Sequence, residues 1–184
     1  MEKGLTVRKI VIAGVLGAIA ILLGVTRLGY IPVPTAAGNA TIMHIPAVIG
    51  GIMEGPIVGL LIGLIFGVSS FFNATVPLFK DPMVAILPRL FIGVVAFLVY
   101  AGLRNVNQYV AIGVAGFLGS MTNTILVLTM AVVRDYMPAE VAISVAIANG
   151  LPEAVVGVIV TLAVVAAWMK IGSGRKRSKI SGDM

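Results

Sequence analysis

Six apolar segments occupy most of this chain, and they restrict its fold more than any other feature of the sequence. They cover residues 7–25, 41–53, 56–74, 83–103, 109–133 and 141–169. Hydrophobic residues make up 59% of the 184 residues, and charged residues make up 11%. A chain of this length cannot bury so much apolar surface in water, whereas a helix of about 20 apolar residues crosses the hydrocarbon core of a bilayer. The segments therefore predict an all-α membrane protein with six transmembrane helices.

The basic residues indicate how these helices are oriented. Of the 13 Lys and Arg residues, nine flank the ends that lie on the same side as both termini, three lie on the opposite side, and Arg89 lies within a segment. Because positive charge is retained on the cytoplasmic side, we expect both termini to be cytoplasmic in a multi-pass protein of the plasma membrane. Residues 1–170 are predicted to form a single six-helix domain, and residues 171–184 a flexible basic cytoplasmic tail. The external loops are then 26–40, 75–82 and 134–140.

Strongly polar residues from five segments fall at similar depths, between roughly 5 and 18 Å below the outer surface at about 1.5 Å per residue, with Asn73 at the outer edge. Arg89 is the most constrained of them, since a guanidinium keeps its charge and needs a partner, a cavity or a ligand. A polar cavity open to the outside explains the shared depth. The predicted substrate-binding residues are His44, Asn73, Arg89, Asn123, Asn149 and Glu153.

Each of these residues also has a structural interpretation. Arg89 and Glu153 would neutralise each other if they formed an ion pair. Asn123 would serve as an interhelical hydrogen bond, which is a modest packing device in membranes. His44 would be a satisfied group at a helix end. These alternatives stay open at the level of sequence.

The first segment carries small residues instead of polar ones. Ala13, Gly14, Gly17 and Ala18 form two overlapping pairs of small residues four apart, a spacing that allows close approach of another helix. Because the segment has no polar group between Arg8 and Thr26, this face is predicted to contact another membrane subunit. The alternative is that it packs within the bundle.

Several kinds of chemistry are excluded. The chain has no cysteine and one histidine, and it contains neither a phosphate-binding loop nor a His-Glu-x-x-His zinc motif. ATP hydrolysis, thiolate chemistry and a Ser-His-Asp triad are therefore excluded for this chain alone, and we expect no enzyme activity, no cofactor and no metal. The net charge of +6 is assigned to membrane orientation and not to nucleic acid.

Four stretches resemble the substrate-binding S component of energy-coupling factor (ECF) vitamin transporters. They are ATIMHIP at 40–46, GLIFGVSS at 63–70, LPRL at 87–90 and NGLPEA at 149–154. The resemblance implies a six-helix bundle that binds a vitamin outside the cell. It also implies partners, namely a transmembrane coupling subunit and two cytoplasmic ATPases, and a toppling motion that releases the vitamin inside.

The resemblance also implies roles for individual residues. In the family an Ala-x-x-x-Ala pattern on the first helix contacts the coupling subunit, which corresponds here to Ala13/Gly17 or Gly14/Ala18. The resemblance further implies that the first external loop and helices four to six build the vitamin-binding site, and that the loop at 75–82 acts as a gate.

The stretch at 40–46 is closest to pantothenate-type S components, and an arginine pairs well with a small carboxylate such as pantothenate. Riboflavin or another vitamin is the alternative substrate. Alternatives outside the family are a self-sufficient channel or secondary transporter, and a purely structural subunit. The apolar inner half shows no continuous polar path across the membrane.

Overall fold

The computed structural model describes residues 5–32 and 39–181, with side chains described for 5–31 and 40–170. Its regular elements in chain order are α1 (Val7–Val25), β1 (Tyr30–Pro32), β2 (Asn39–Thr41), α2 (Ile45–Glu54), α3 (Pro56–Phe72), a 3₁₀ turn (Pro77–Lys80), α4 (Pro82–Ala85), α5 (Leu87–Leu103), α6 (Gln108–Val133), α7 (Ala139–Val145), a π turn (Ala146–Gly150) and α8 (Leu151–Ser181).

Each of the six predicted apolar segments contains helix, and the protein is predominantly helical as expected. Among the described residues, four helical stretches are long and apolar enough to cross a membrane, namely Val7–Val25, Pro82–Leu103, Gln108–Val133 and Ala139–Lys170. The helices Ile45–Glu54 and Pro56–Phe72 are apolar but shorter. Length and composition thus qualify four helices as spans, while α2 and α3 are too short to qualify on these grounds alone.

Glycines let α2, α3 and α5 pack with their backbones almost in contact. A Cβ atom on Gly59 would lie 2.8 Å from the Gly93 backbone, and one on Gly51 would collide with the Gly93 carbonyl. A Cβ on Gly63 would likewise collide with the backbone carbonyl of Arg89. This close packing fixes the position of the first turn of α5, where Arg89 lies.

Two of the predicted segments depart from a single continuous helix near their N-terminal ends. The segment predicted at 41–53 becomes helical only at Ile45, because Thr41 belongs to strand β2, which pairs antiparallel with β1 in the first loop. The segment predicted at 83–103 is interrupted at Ile86, between α4 and α5. Pro88 follows this break and occupies the first turn of α5, where a missing backbone N–H does no harm.

The last segment also departs from a regular α-helix. The π turn at Ala146–Gly150 separates α7 from α8 and directly precedes Pro152 and Glu153. Such turns insert an extra residue into a helix and are frequent at functional sites. Beyond residue 170 the backbone remains helical to Ser181, so the predicted domain boundary does not coincide with a helix end. The flexibility of the tail stays a prediction.

Candidate functional site

Arg89 lies in the first turn of α5 and is 3% exposed. Its guanidinium carbon lies 4.8 Å from the ring centre of Phe79 and 5.5 Å from that of Phe66, which is cation–π geometry. Its Nη1 donates to the backbone carbonyl of Val84, whereas its buried Nε has no hydrogen-bond partner among the described residues. The positive end of a helix dipole lies in the same turn, so this position favours an anion.

Glu153 lies in the first turn of α8 and is 6% exposed. Its Oε1 accepts a hydrogen bond from the backbone N–H of Thr41 at 2.5 Å, and its Oε2 accepts one from the hydroxyl of Thr124 at 3.4 Å. Thr41 belongs to β2 and Thr124 to α6. The carboxylate therefore connects the hairpin of the first loop to two helices of the bundle.

Arg89 and Glu153 interact electrostatically but do not form a direct ion pair. Within the part of the chain that the structure describes, ion pairs join Arg8 to Glu54 and Arg134 to Asp81, each at 2.7 Å. The charges of Arg89 and Glu153 still act on each other through space. The structural ion pair considered from sequence is thus absent as a contact, and the guanidinium keeps hydrogen-bonding capacity for another anion.

His44 is fully buried immediately before α2, so it is a helix-end residue as its structural interpretation expected. Its Nε2 lies 2.9 Å from the Ser120 hydroxyl, which itself donates to the Gly116 carbonyl at 2.9 Å. A serine hydroxyl has one hydrogen and the Gly116 carbonyl can only accept, so with that hydrogen on Gly116 the Ser120 oxygen accepts from His44. The histidine therefore carries its proton on Nε2, and Nδ1 has no partner among the described residues.

The three asparagines among the predicted site residues occupy different surroundings. Asn123 lies one turn beyond Ser120 on α6, is 7% exposed, and has a buried Oδ1 without a partner in the described chain. Asn149 is buried in the π turn. Asn73 is exposed at the end of α3 and donates to the Ser69 carbonyl at 2.9 Å, so the structure does not bring it to the other predicted residues.

Five of the six predicted residues are therefore buried, and hydrogen bonds to α6 together with charge interactions relate His44, Arg89 and Glu153. His44 meets α6 at Ser120, Glu153 meets α6 at Thr124, and the charge of Arg89 interacts with both His44 and Glu153. We call these five residues the polar cluster: His44, Arg89, Asn123, Asn149 and Glu153. Its arrangement offers one cation and several hydrogen-bonding groups to a small anionic ligand.

Sequence reasoning missed some of the residues that surround the polar cluster. Phe66 and Phe79 face the guanidinium of Arg89, and Thr41 and Thr124 bind Glu153. Phe79 lies in the predicted gate loop, but nothing in the sequence assigns it to Arg89. Ser120 was detectable, because it lies three residues before Asn123 on the same helix face.

The surface grooves are separate from the polar cluster. One, of about 560 Å³, runs between α6 and α8 past Val114 and Val158, and another, of about 470 Å³, runs between α5 and α6 past Val95 and Leu126. Apolar side chains line both grooves almost entirely. None of the predicted site residues lines either groove, which suits a lipid-facing surface better than a site for a polar solute.

A second polar contact lies outside the spans, in the loops at the hairpin end of the bundle. The buried carboxylate of Asp81 accepts hydrogen bonds from Arg134 Nε at 2.7 Å, from Tyr136 at 3.5 Å and from the Met83 N–H at 2.9 Å. The hydrogen bond from Arg134 holds the pKa of Asp81 below its ordinary value, and the same contact raises the pKa of Arg134. This contact joins the loop after α3 to the loop after α6.

The small residues of α1 separate onto two faces. Ala13 and Gly17 are buried against the bundle, and a Cβ on Gly17 would lie 2.7 Å from Ile65 Cδ1 of α3. Gly14 and Ala18 are exposed, and a Cβ on Gly14 would meet no heavy atom within 4 Å. We call the exposed surface of Gly14 and Ala18 the α1 face.

Known proteins match this chain over most of its length. The sequence profile of the family described as "ECF transporter, substrate-specific component" matches residues 8–165. A relative named "Pantothenic acid transporter PanT", from Lactococcus lactis subsp. cremoris (strain MG1363), is 30% identical in an alignment 155 residues long, and the match covers 71% of this chain and 78% of the relative. Members of the family are multi-pass membrane subunits that bind vitamins and work with an ECF module, and they are not enzymes. The chain belongs to the substrate-specific components of ECF transporters.

Proposed function

We propose that this protein binds pantothenate outside the cell and delivers it as the S component of an ATP-driven ECF importer. The observation that carries the proposal is Arg89, a buried cation in the first turn of α5 with no ion-paired carboxylate among the described residues. A bidentate or charge-assisted contact with a carboxylate satisfies such a guanidinium. The name of the Lactococcus relative supports pantothenate as that carboxylate.

In this proposal all six apolar segments cross the membrane, including the short helices α2 and α3, and both termini are cytoplasmic. Residues 1–170 form the transmembrane domain, and residues 171–184 are a solvated basic tail. The hairpin and the loop at 75–82 then face outward above the polar cluster. Asn123, Asn149, Glu153 and His44 complete the binding site around Arg89, whereas the exposed Asn73 lies at its rim.

The partners in this proposal are a transmembrane coupling subunit and two cytoplasmic ATPases, since this chain has no phosphate loop of its own. The α1 face is the contact surface for the coupling subunit. Gly14 and Ala18 are assigned this role because they are exposed, while Ala13 and Gly17 are buried against the bundle.

The test is calorimetric titration of the purified protein in detergent or nanodiscs with a panel of vitamins. Pantothenate is expected to bind tightly without ATP or the other subunits. Arg89→Met is expected to weaken binding at least about thirtyfold, because removing one partner of a buried charged pair costs about 2–5 kcal/mol. Tighter binding of riboflavin or another vitamin would reassign the substrate.

A liposome experiment separates this proposal from a self-sufficient transporter. Reconstituted alone, the protein is expected to bind pantothenate but not to accumulate it. With an ECF module, uptake is expected to require ATP. Uptake by the isolated protein, driven by an ion gradient, would overturn the assignment of the energy source to partner ATPases.

A further inference from the structure

Four buried side-chain atoms lack a hydrogen-bond partner among the described residues. They are His44 Nδ1, Arg89 Nε, Asn123 Oδ1 and Thr161 Oγ1. Buried polar atoms without partners are uncommon in folded proteins, and each one calls for a physical explanation. Three of the four belong to the polar cluster, and their chemistry is not the same.

The three atoms of the polar cluster divide into one donor and two acceptors. Arg89 Nε carries a hydrogen and can only donate. His44 has its hydrogen on Nε2, directed to Ser120, so the neutral ring presents Nδ1 as a bare acceptor. A second cation buried near the charge of Arg89 is unfavourable, which supports the neutral ring. The carbonyl oxygen of Asn123 is the second acceptor.

The contacts of α6 place the two acceptors in one region. His44 bonds Ser120, and Asn123 lies three residues further along the same buried face of α6. Thr124, next to Asn123, contacts Glu153, whose charge interacts with that of Arg89. A single small ligand that reaches Arg89 is therefore near both acceptors.

We propose that His44 Nδ1 and Asn123 Oδ1 each accept a hydrogen bond from the substrate, so that the site selects a carboxylate that also carries O–H or N–H donors. This inference rests on the proposed function. A carboxylate without such donors leaves both acceptors buried and unpaired. Sites that hydrogen-bond a substrate hydroxyl reject analogues without it far more strongly than apolar pockets reject a change of size.

The experiment compares pantothenate with analogues in which single donors are removed. Pantothenate has a carboxylate, two hydroxyls and an amide N–H. The analogues replace either hydroxyl with hydrogen, or methylate the amide nitrogen, and leave the carboxylate unchanged. At least two of the deoxy and N-methyl analogues are expected to bind the wild-type protein about 10- to 100-fold more weakly, because each leaves one buried acceptor unsatisfied.

His44→Gln and Asn123→Leu then connect the lost donor to an acceptor. The amide of Gln can still donate to Ser120, but its acceptor oxygen lies at a different position from Nδ1 of the imidazole ring. His44→Gln is expected to weaken pantothenate binding about 10- to 100-fold and to bind one analogue no more weakly than pantothenate itself. Asn123→Leu is expected to do the same with a different analogue. Such loss of discrimination identifies which donor of pantothenate pairs with the acceptor that the substitution altered, as in a double-mutant cycle.

Thr161→Val is the matched control. Thr161 is also fully buried, and its hydroxyl oxygen has no partner among the described residues. It packs against Gly116, which precedes Ser120 on α6, whereas Asn123 follows Ser120. This isosteric variant is expected to keep the full discrimination between pantothenate and its analogues. If Thr161→Val removed the discrimination as His44→Gln does, the assignment of specificity to the two acceptors would be overturned.

The outcomes separate the inference from the proposed function. Binding of every analogue within about threefold of pantothenate would overturn the inference and leave the pantothenate assignment in place. Absence of any pantothenate binding by the wild-type protein would overturn both. Should either variant fail to give a monodisperse protein, the analogue series on the wild-type protein decides by itself.

Discussion

The polar cluster and the α1 face differ in how their side chains are surrounded. Arg89 is buried between two aromatic rings and Glu153 is bonded to two threonines, whereas Gly14 has nothing within 4 Å of the position of a Cβ atom. In the part of the chain that the structure describes, the polar cluster has buried charge that is incompletely satisfied, whereas the α1 face is open apolar surface. In the proposed function, ligand binding and subunit contact are therefore assigned to different parts of the bundle, and substitutions should separate them.

The largest expected separation comes from Gly14→Trp. A bulky side chain on the α1 face is expected to block close contact with the coupling subunit and lower ATP-driven uptake at least about tenfold. Binding of pantothenate to the isolated protein is expected to change less than about twofold, since Gly14 is exposed and a Cβ atom there meets no atom of the polar cluster within 4 Å. Uptake into liposomes and calorimetric titration measure the two effects.

Gly102→Trp is the matched control, because Gly102 is also exposed with nothing within 4 Å of an added Cβ but lies at the end of α5. It is expected to leave both uptake and binding near wild-type values. If Gly14→Trp reduced binding as much as uptake, the separation of the two regions would be lost.

Gly17→Leu tests the other side of the same helix. An added side chain would collide with Ile65, whose Cδ1 would lie 2.7 Å from the new Cβ. Overpacking of this kind costs about 1–3 kcal/mol of the free energy of unfolding, so the thermal unfolding midpoint is expected to fall. Gly14→Leu is the control and should unfold at the wild-type temperature. Equal midpoints for the two variants would show that Gly17 is not packed against α3.

Two substitutions of Glu153 distinguish a role of its charge in ligand binding from a role of its hydrogen bond in positioning the hairpin. Glu153→Gln keeps an oxygen that accepts from the Thr41 N–H and is expected to bind pantothenate within about threefold of wild type. Glu153→Ala releases the hairpin and is expected to weaken binding about tenfold, the effect of losing a hydrogen bond to a charged group. Titration measures affinity, and hydrogen exchange of the hairpin measures its release. An equal loss in both variants would assign Glu153 an electrostatic role instead.

The smallest effect is expected at the loop contact of Asp81, which belongs to neither region. Because Arg134 lowers the folded-state pKa of Asp81, the contact stabilises the protein above the unfolded-state pKa of about 3.9 and is lost as pH falls through the lower folded-state value. Asp81→Asn is therefore expected to lower the unfolding midpoint at neutral pH, and the difference from wild type should shrink below about pH 4.

Asp135→Asn is the control for this pH dependence, since Asp135 is exposed in the loop beside Arg134 and forms no ion pair within the described chain. It is expected to unfold at the wild-type midpoint at every pH. A difference between Asp81→Asn and wild type that grew at low pH would contradict the assigned sign.

The sequence predicted the helices well and their contacts poorly. The bounds of α1 agree with the predicted segment 7–25, because a continuous apolar run has few ways to satisfy its backbone in lipid except as a helix. The interruption at Ile86 and the π turn before Glu153 were not predicted, since proline disfavours regular helix without specifying which local geometry replaces it.

Burial of the polar residues was partly predictable. An arginine within an apolar segment has to be paired or buried in the protein, and Arg89 is buried as expected. Asn73 was placed with the others because it ends an apolar segment, yet it is exposed and bonded within its own helix end. Position along a segment gives depth but not the direction in which a side chain points.

The sequence by itself determined the family, through the residues that match the family profile. It also determined the helical class and the presence of a buried cation, because these follow from apolar runs and from the charge of a guanidinium. Only the tertiary structure decided that Glu153 binds Thr41, which is 112 residues away, and forms no ion pair with Arg89 in the described chain. It also decided that Ala13 and Gly17 face the bundle while Gly14 and Ala18 stay exposed. The physical reason is helix rotation, which is set by packing against neighbouring helices and is not encoded in the spacing of one segment.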